Sequence, residues 1–299
     1  MSEVTLPRIA IRAVRRPAVP SITSRVLTHA VLILVGAVVA YPFYYMLTTG
    51  LKTFFESITA PPTIFPAEGL HPENYVEAWG KAPWARYFAN TIGIALVNTL
   101  GDLFTAVLAA YAFAMMSFKG KAFLFTVLLA TYMMPAEATL IPNFVTLTRI
   151  FRPNDLDHVA QGYLVQILPF LATAFSIFLL RQQFLSVPKE LRDAAVIDGA
   201  GHVRFLWSVV LPISIPALVT VAIISFYGSW NSFQWPLIMT SRPDIQPIQV
   251  GLNAFRDTAR SQYHLLMAAC SFVVAPIVLV YLVGQRYLVQ GVARTGIRG

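Results

Sequence analysis

Six stretches of the chain, at 26–49, 88–116, 122–147, 160–184, 209–230 and 263–288, are predominantly apolar. Each is about as long as the roughly 20 residues a helix needs to cross a hydrocarbon layer. Inside a bilayer every backbone amide must find its partner within the chain, so runs of this length predict helices rather than open sheets. The expected fold is all-α, a polytopic membrane protein with six transmembrane helices. The longest connection, 50–87, carries Pro61, Pro62, Pro66 and Pro72 and reads as an irregular, extended path with short helical turns. Prolines also fall inside the apolar runs, at Pro42, Pro135, Pro142, Pro169, Pro212, Pro216 and Pro276. Each removes a backbone donor and bends its helix, and together they suggest a bundle that changes shape. The first run exceeds the core of a signal peptide and no small-x-small cleavage site follows it, so it reads as a retained helix.

Composition and charge orient this picture. The chain is 57% hydrophobic and only 12% charged, where soluble domains carry about 25% charged residues. A net charge of +8 is compatible with a nucleic-acid ligand, but its distribution argues against one. Arg8, Arg12, Arg15, Arg16 and Arg25 precede the first run, and Lys119, Lys121, Arg181, Lys189, Arg192 and Arg204 fall on the same side. With both termini inside, 14 basic residues face the cytoplasm against 8 outside, as the positive-inside rule requires. The chain thus divides into a basic cytoplasmic N-terminus (1–25), a six-helix transmembrane domain (26–288) with an outer loop at 50–87, and a cytoplasmic tail (289–299). Cys270, in an apolar run, excludes an intrachain disulfide. His29, His71, His158, His202 and His264 are scattered without metal-ligand spacing, and no nucleophile–base arrangement is legible. The sequence therefore predicts neither a metal site nor an enzyme.

Polar residues inside the apolar runs are the candidate chemistry. A charged side chain at the bilayer centre costs about 2.5–3.5 kcal/mol and normally faces the bundle or a watery path. Thr91, Asn98, Asp102 and Thr105 recur at helical spacing and form one stripe on the second helix. Glu137, between Pro135 and Pro142, falls where the third run should be irregular. On the fifth, Tyr227, Asn231 and Gln234 share a face flanked by Trp230 and Trp235. Polar groups also pair helices, and Asp102 reads as closer to interhelical hydrogen bonding or gating.

One polar, small-residue segment interrupts the apolar pattern: DAAVIDGAGHVRFLWSVVLP, residues 193–212. An acid and two alanines (Asp193, Ala194, Ala195) are followed by Gly199 and, after nine residues, by Val209-x-Leu211-Pro212. Ser186 and Pro188 suit the start of a short helix, Lys189 to Asp198 can be helical, and Gly199-Ala200-Gly201 should turn the chain. Ala194, Ala195 and Ala200 offer low relief, while Glu190, Arg192, Asp193 and Arg204 supply orienting charge. The segment resembles the cytoplasmic EAA loop of binding-protein-dependent ABC importer permeases, departing at Asp193 and Val209, where that family usually has Glu and Ile. The resemblance implies a type I ABC importer permease bundle whose coupling loop (186–208) docks on a separate ATPase dimer. No G-x-x-x-x-G-K-[ST] phosphate loop is present, so this chain itself needs no cofactor. ATP and Mg would be bound by the partner ATPase.

The resemblance extends over roughly residues 88–299. YGSWNSFQWPLIMT (227–240) resembles the fifth helix of carbohydrate permeases, and QRYLVQGVARTGIRG (285–299) the tail of the second permease subunit of maltose and glycerol-phosphate importers. This implies a second permease subunit, an ATPase dimer, an extracytoplasmic solute-binding protein and a sugar-like substrate in the inner membrane. It also implies that Gln290, Gly291 and Arg294 reach between the ATPase subunits. Sugars are held by planar polar groups and by rings that stack on their apolar faces, chemistry that Glu137, Asn143, Asn231, Gln234 and Trp235 supply. With Asn98, Asp102 and Tyr227 these form the expected substrate pathway. A polyol-phosphate such as glycerol-3-phosphate is the alternative cargo. An ion-coupled secondary transporter using Asp102 and Glu137, a lipid-modifying membrane enzyme and a peptide permease are the rival classes.

Overall fold

The computed structural model describes residues 22–255 and 262–296, with only the backbone described at 254 and from 286 onward. Among the described residues all regular structure is helical. In chain order the first eight helices are α1 (Ile22–Thr49), α2 (Phe54–Ile58), α3 (Glu73–Gly80), α4 (Trp84–Met115), α5 (Lys121–Tyr132), α6 (Ala136–Ile150), α7 (Val159–Ile167) and α8 (Ala174–Leu185). They are followed by α9 (Lys189–Ile197), α10 (His202–Phe205), α11 (Leu211–Ile213), α12 (Ile215–Trp230), α13 (Gln234–Met239), α14 (Ile248–Gly251) and α15 (Tyr263–Gly296). The chain divides into two units, Met1–Tyr45 and Met46–Gly299. The second unit carries α2 to α15.

The prolines inside the apolar runs do not act alike: Pro42 and Pro276 lie within continuous helices. α1, α4 and α15 (over Tyr263–Gln285) are unbroken and long and apolar enough to cross a bilayer. The other three runs are not the single helices that the pattern predicts. The 122–147 run splits into α5 and α6, whose axes differ by 96°. Pro135 heads α6 in an extended conformation and cannot donate back to the preceding turn. The 160–184 run breaks between Leu156–Phe170 and Ala174–Leu185, with a 46° bend. There Pro169 lies in a 3₁₀ turn and the Thr173 hydroxyl caps α8 by accepting from Ser176 N. The 209–230 run bends by 80° between His202–Ile213 and Ile215–Trp230, at Ser214 between Pro212 and Pro216. Just ahead of that bend, Leu206–Val210 is π-helical. Six spans result only if each bent pair counts as one.

α4 is the central element, packed against α8 and α12, with α15 against α12 and α3. Ala106 and Ala110 of α4 are fully buried and let Leu180 and Phe184 of α8 approach closely. At the other end of α4, Trp84 and Tyr87 pack with Trp230, Leu265 and Ala269, and the Trp84 indole stacks on Phe255 at 6.2 Å.

The 50–87 segment is more tightly tied than an extended path. Glu56 Oε1 accepts from Thr63 Oγ1 and Ala67 N, both at 2.7 Å. Asn74 Nδ2 donates to the Gly50 and Lys52 carbonyls, and the buried Lys52 ammonium donates to Thr63 O. Prolines forbid a long helix here, so buried side chains satisfy the backbone in place of a regular ladder. Burial pushes the Glu56 carboxyl up, but hydrogen bonds from Ala67, Thr63 and Glu68 outweigh it and hold the group below the usual carboxylate range.

Candidate functional site

The segment at 186–208 forms an elbow. Pro188 enters α9 in an extended conformation. Ser186 does not cap it as the sequence suggests, because its hydroxyl donates back to Gln183 O at 2.7 Å. α9 ends where Gly199 adopts φ +72°, a left-handed conformation that a side chain disfavours. Ala200 N then donates to Ala195 O at 2.8 Å, closing the helix end. Ala195, Phe205 and Leu206 are buried among Ala110, Phe184 and Val210, rooting the elbow in the α4–α8 core. Glu190, Arg192, Asp193, Ala194, Asp198, Gly199, Arg204 and Pro212 are exposed, and Ala200 is half-buried. So are Val196, Ile197, Val203 and Trp207, at 64%, 86%, 72% and 63% exposure. Val203 and Trp207 lie in His202–Ile213, the first half of a bent pair apolar enough to belong to a membrane span, whereas Val196 and Ile197 stand on the short helix α9. A contact that the sequence did not reveal joins this elbow to α4: Tyr111, 5% exposed, shares a 3.0 Å hydrogen bond with His202 Nδ1.

The second feature is a partly open cavity of about 500 Å³ lined chiefly by α4, α12 and the α7–α8 turn. Thr91, Asn98 and Asp102 of the α4 stripe line it and Thr105 does not, and the stripe ties α4 to three neighbours. Thr91 Oγ1 accepts from Ile248 N at 2.7 Å, and Asn98 Nδ2 donates to Ser229 Oγ at 3.1 Å. The fully buried Asp102 accepts from Thr173 N at 2.9 Å and from Ser176 Oγ at 2.6 Å. Thr105 Oγ1 donates to Leu171 O. Asn98 Oδ1 and Gln166 Oε1 are buried without hydrogen-bond partners, a state that costs about 1–3 kcal/mol for each group. Tyr132, Phe170 and Phe175 add aromatic faces and Ser225, Ser229 and Ser232 add hydroxyls. The serines and Gln166 escaped the sequence reading because single hydroxyls and amides are common helix-pairing groups. The spacing of Ser225 and Ser229, one turn apart on α12, was the available signal, while Ser232 lies in the turn beyond the helix.

The expected pathway residues do not all meet there. Of them, Asn98 and Asp102 line the cavity. Glu137 and Asn143 are exposed on α6. Tyr227, Asn231 and Gln234 do not share one helical face, because α12 ends at Trp230 and Gln234 opens α13 beyond a turn. Tyr227 and Gln234 are exposed, and Asn231 Oδ1 accepts from Gln249 Nε2 at 3.2 Å. Trp235 is buried and its Nε1 donates to Val165 O at 3.0 Å, while Trp230 Nε1 donates to Val273 O. Gln290, Gly291 and Arg294 fall on helical backbone of α15, but their side chains lie outside the described residues.

The chain is similar to known proteins in sequence and in fold. The chain is 31% identical over 266 residues to the probable ABC transporter permease protein YurM of Bacillus subtilis, covering 87% of this chain and 84% of that protein. It is 30% identical over 271 residues to the sn-glycerol-3-phosphate transport system permease protein UgpE of Yersinia pestis, covering 88% and 94%. To the arabinooligosaccharides transport system permease protein AraQ of Halalkalibacterium halodurans it is 30% identical over 238 residues, covering 79% and 82%. Its fold matches a chain from the crystal structure of a bacterial ABC transporter involved in the import of the acidic polysaccharide alginate. The TM-score is 0.73 at 21% identity, over 91% of this chain and 99% of that one. Residues 103–294 match the family described as binding-protein-dependent transport system inner membrane component. The chain therefore belongs to that family, as a membrane permease subunit of an ABC importer and not an enzyme.

Proposed function

We propose that this subunit forms one half of a two-permease pathway that carries a carbohydrate or carbohydrate-like solute into the cytoplasm, driven by a separate ATPase dimer that binds ATP and Mg. The observation that carries the reading is the elbow. Ala195, Phe205 and Leu206 anchor it in the bundle, while Val196 and Ile197 are exposed on α9, next in sequence to the exposed Arg192, Asp193 and Asp198. A rigid lever needs both a root and a free face, and this segment has both. An extracytoplasmic binding protein delivers the solute, and closure of the ATPase pair, felt through α9 and α10, switches the bundle from inward-open to outward-open. The excess of basic residues at 1–25, 119–121 and 181–204 supports six crossings with both termini in the cytoplasm. Gln290, Gly291 and Arg294 extend the ATPase contact along the tail. The solute path takes in the cavity at Asn98 and Asp102, and Glu137, Asn143, Tyr227, Asn231, Gln234 and Trp235 belong to its approaches. The names of the relatives support carbohydrate cargo, and those of the glycerol-3-phosphate type favour a polyol-phosphate as the second reading.

The test is a photo-reactive amino acid at Ile197 in tagged subunit, with cross-linking in intact membranes and mass spectrometry of the product. An adduct to a nucleotide-hydrolysing subunit supports the reading. Adducts to lipid alone, or labelling of position 197 by an impermeant reagent from outside the cell, overturn it.

A further inference from the structure

The turn that joins α4 to α5 gathers positive charge without a counterion. α4 ends at Met115, so its last carbonyls lack partners within the helix and carry the negative end of its dipole. Two cations answer them. Lys121 Nζ donates to Met116 O at 2.9 Å and to Ala114 O at 3.5 Å, and Arg181 Nε donates to the adjacent Phe113 O at 3.2 Å. The guanidinium also stands 4.0 Å over the ring of Phe125, which lies one turn along α5 from Lys121 on the same face. The two cations are therefore side by side, and the helix end offers them the equivalent of about half a negative charge. Lys119, exposed in the same turn, adds a third positive charge. Among the described residues none of the three is ion-paired with an acid. The Arg181 Nη groups make no hydrogen bond among those residues either, which leaves the fork of the guanidinium available. Half-buried like charges repel unless an anion lies between them. A phosphate suits this place, because it takes both a guanidinium fork and an ammonium. Depth selects its source. α5 opens a bent pair that qualifies as a membrane span, so its first residue marks the edge of the hydrocarbon, where lipid headgroups begin. Phe118, Phe123 and Leu124 are exposed around the turn, Phe123 to 70%, and offer the apolar surface that acyl chains cover. We propose that Lys119, Lys121 and Arg181 hold the phosphodiester of one anionic phospholipid at the foot of α4. Its place in the cytoplasmic leaflet rests on the orientation proposed above, whereas the site itself does not.

The complete importer, purified in detergent, is titrated with phosphatidylglycerol or phosphatidylcholine, and bound lipids are counted by native mass spectrometry. The parent should retain one phosphatidylglycerol at concentrations where phosphatidylcholine is lost. Lys121→Gln and Arg181→Gln should each weaken that binding about fivefold, and Arg181→Lys, which keeps the charge, should weaken it less. Arg149→Gln, at the far end of α6, should leave it unchanged. Arg181→Gln also loosens α8 from α4, so the deciding variant is the Lys119→Gln, Lys121→Gln pair, which keeps the Arg181 contacts. Unchanged phosphatidylglycerol binding in that pair overturns the proposal, as does equal retention of the two lipids by the parent. A photo-reactive amino acid at position 119 that links to another subunit and not to lipid overturns it as well. An inverted orientation of the chain shows differently: an impermeant maleimide then labels Lys119→Cys from outside the cell while the preference for phosphatidylglycerol persists.

Discussion

Gly199 allows a sharp test of the elbow because the structure isolates one physical cause. Its φ is +72° and a Cβ built there meets nothing within 4 Å, so a substitution is penalised by backbone conformation and not by crowding. A left-handed residue with a side chain costs about 1–2 kcal/mol. At about 1.4 kcal/mol per factor of ten, that shifts the elbow away from this geometry roughly 5- to 30-fold. Gly201, two residues on, has φ −74° and equally open surroundings. It serves as the control within the same loop. Gly199→Ala should raise the ATP hydrolysed per solute imported by several-fold. Gly199→Asn should do so less, because Asn tolerates the left-handed region, and Gly201→Ala should leave the ratio unchanged. The assay is paired measurement of ATPase rate and radiolabelled uptake in proteoliposomes, with detergent-stable assembly checked for each variant. If Gly199→Ala and Gly201→Ala behave alike, the left-handed turn is not what positions the elbow.

Named contacts give three further expected outcomes. Asp102→Ala leaves Thr173 N and Ser176 Oγ without their acceptor and should destabilise the complex by about 2–6 kcal/mol. Adding Ser176→Ala should recover part of this, and equal thermal midpoints for parent and Asp102→Ala would refute the joint between α4 and α8. Glu56 is held below its ordinary range in the folded chain, so it stabilises above its unfolded value and that contribution is lost as pH falls through the folded one. Proteolysis within 50–87 should therefore rise below about pH 4, and Glu56→Gln should flatten that dependence. Tyr111→Phe removes the hydrogen bond to His202, worth about 0.5–1.5 kcal/mol. It should lower uptake per ATP by about two- to tenfold while leaving basal hydrolysis unchanged, as read in the same proteoliposomes.

The elbow was legible because its signals are local. Pro188, two alanines and Gly199 set a short helix and its stop within a few residues, and α9 indeed spans Lys189–Ile197. The α4 stripe was legible for the same reason, a fixed helical period carried by Thr91, Asn98, Asp102 and Thr105. The fifth-run face failed because Asn231 to Phe233 turn the chain, so periodicity no longer carries from Tyr227 to Gln234. The partners of Asp102 were equally hidden. Thr173 and Ser176 lie more than 70 residues away, and nothing in their own segment announces which acid will cap them.

By itself, then, the order of residues determined that the chain is helical and apolar enough for a membrane, and where the polar elbow interrupts it. These properties come from backbone hydrogen bonding in hydrocarbon and from side-chain preferences acting within a turn or two. Only the tertiary structure decided which prolines merely bend a helix and which split it. It also decided that the Asp102 carboxylate joins α4 to α8, and that Asn98 and Gln166, from separate helices, leave unpaired acceptors beside one cavity. Those outcomes depend on which distant segments come into contact, and burial converts that proximity into free energy.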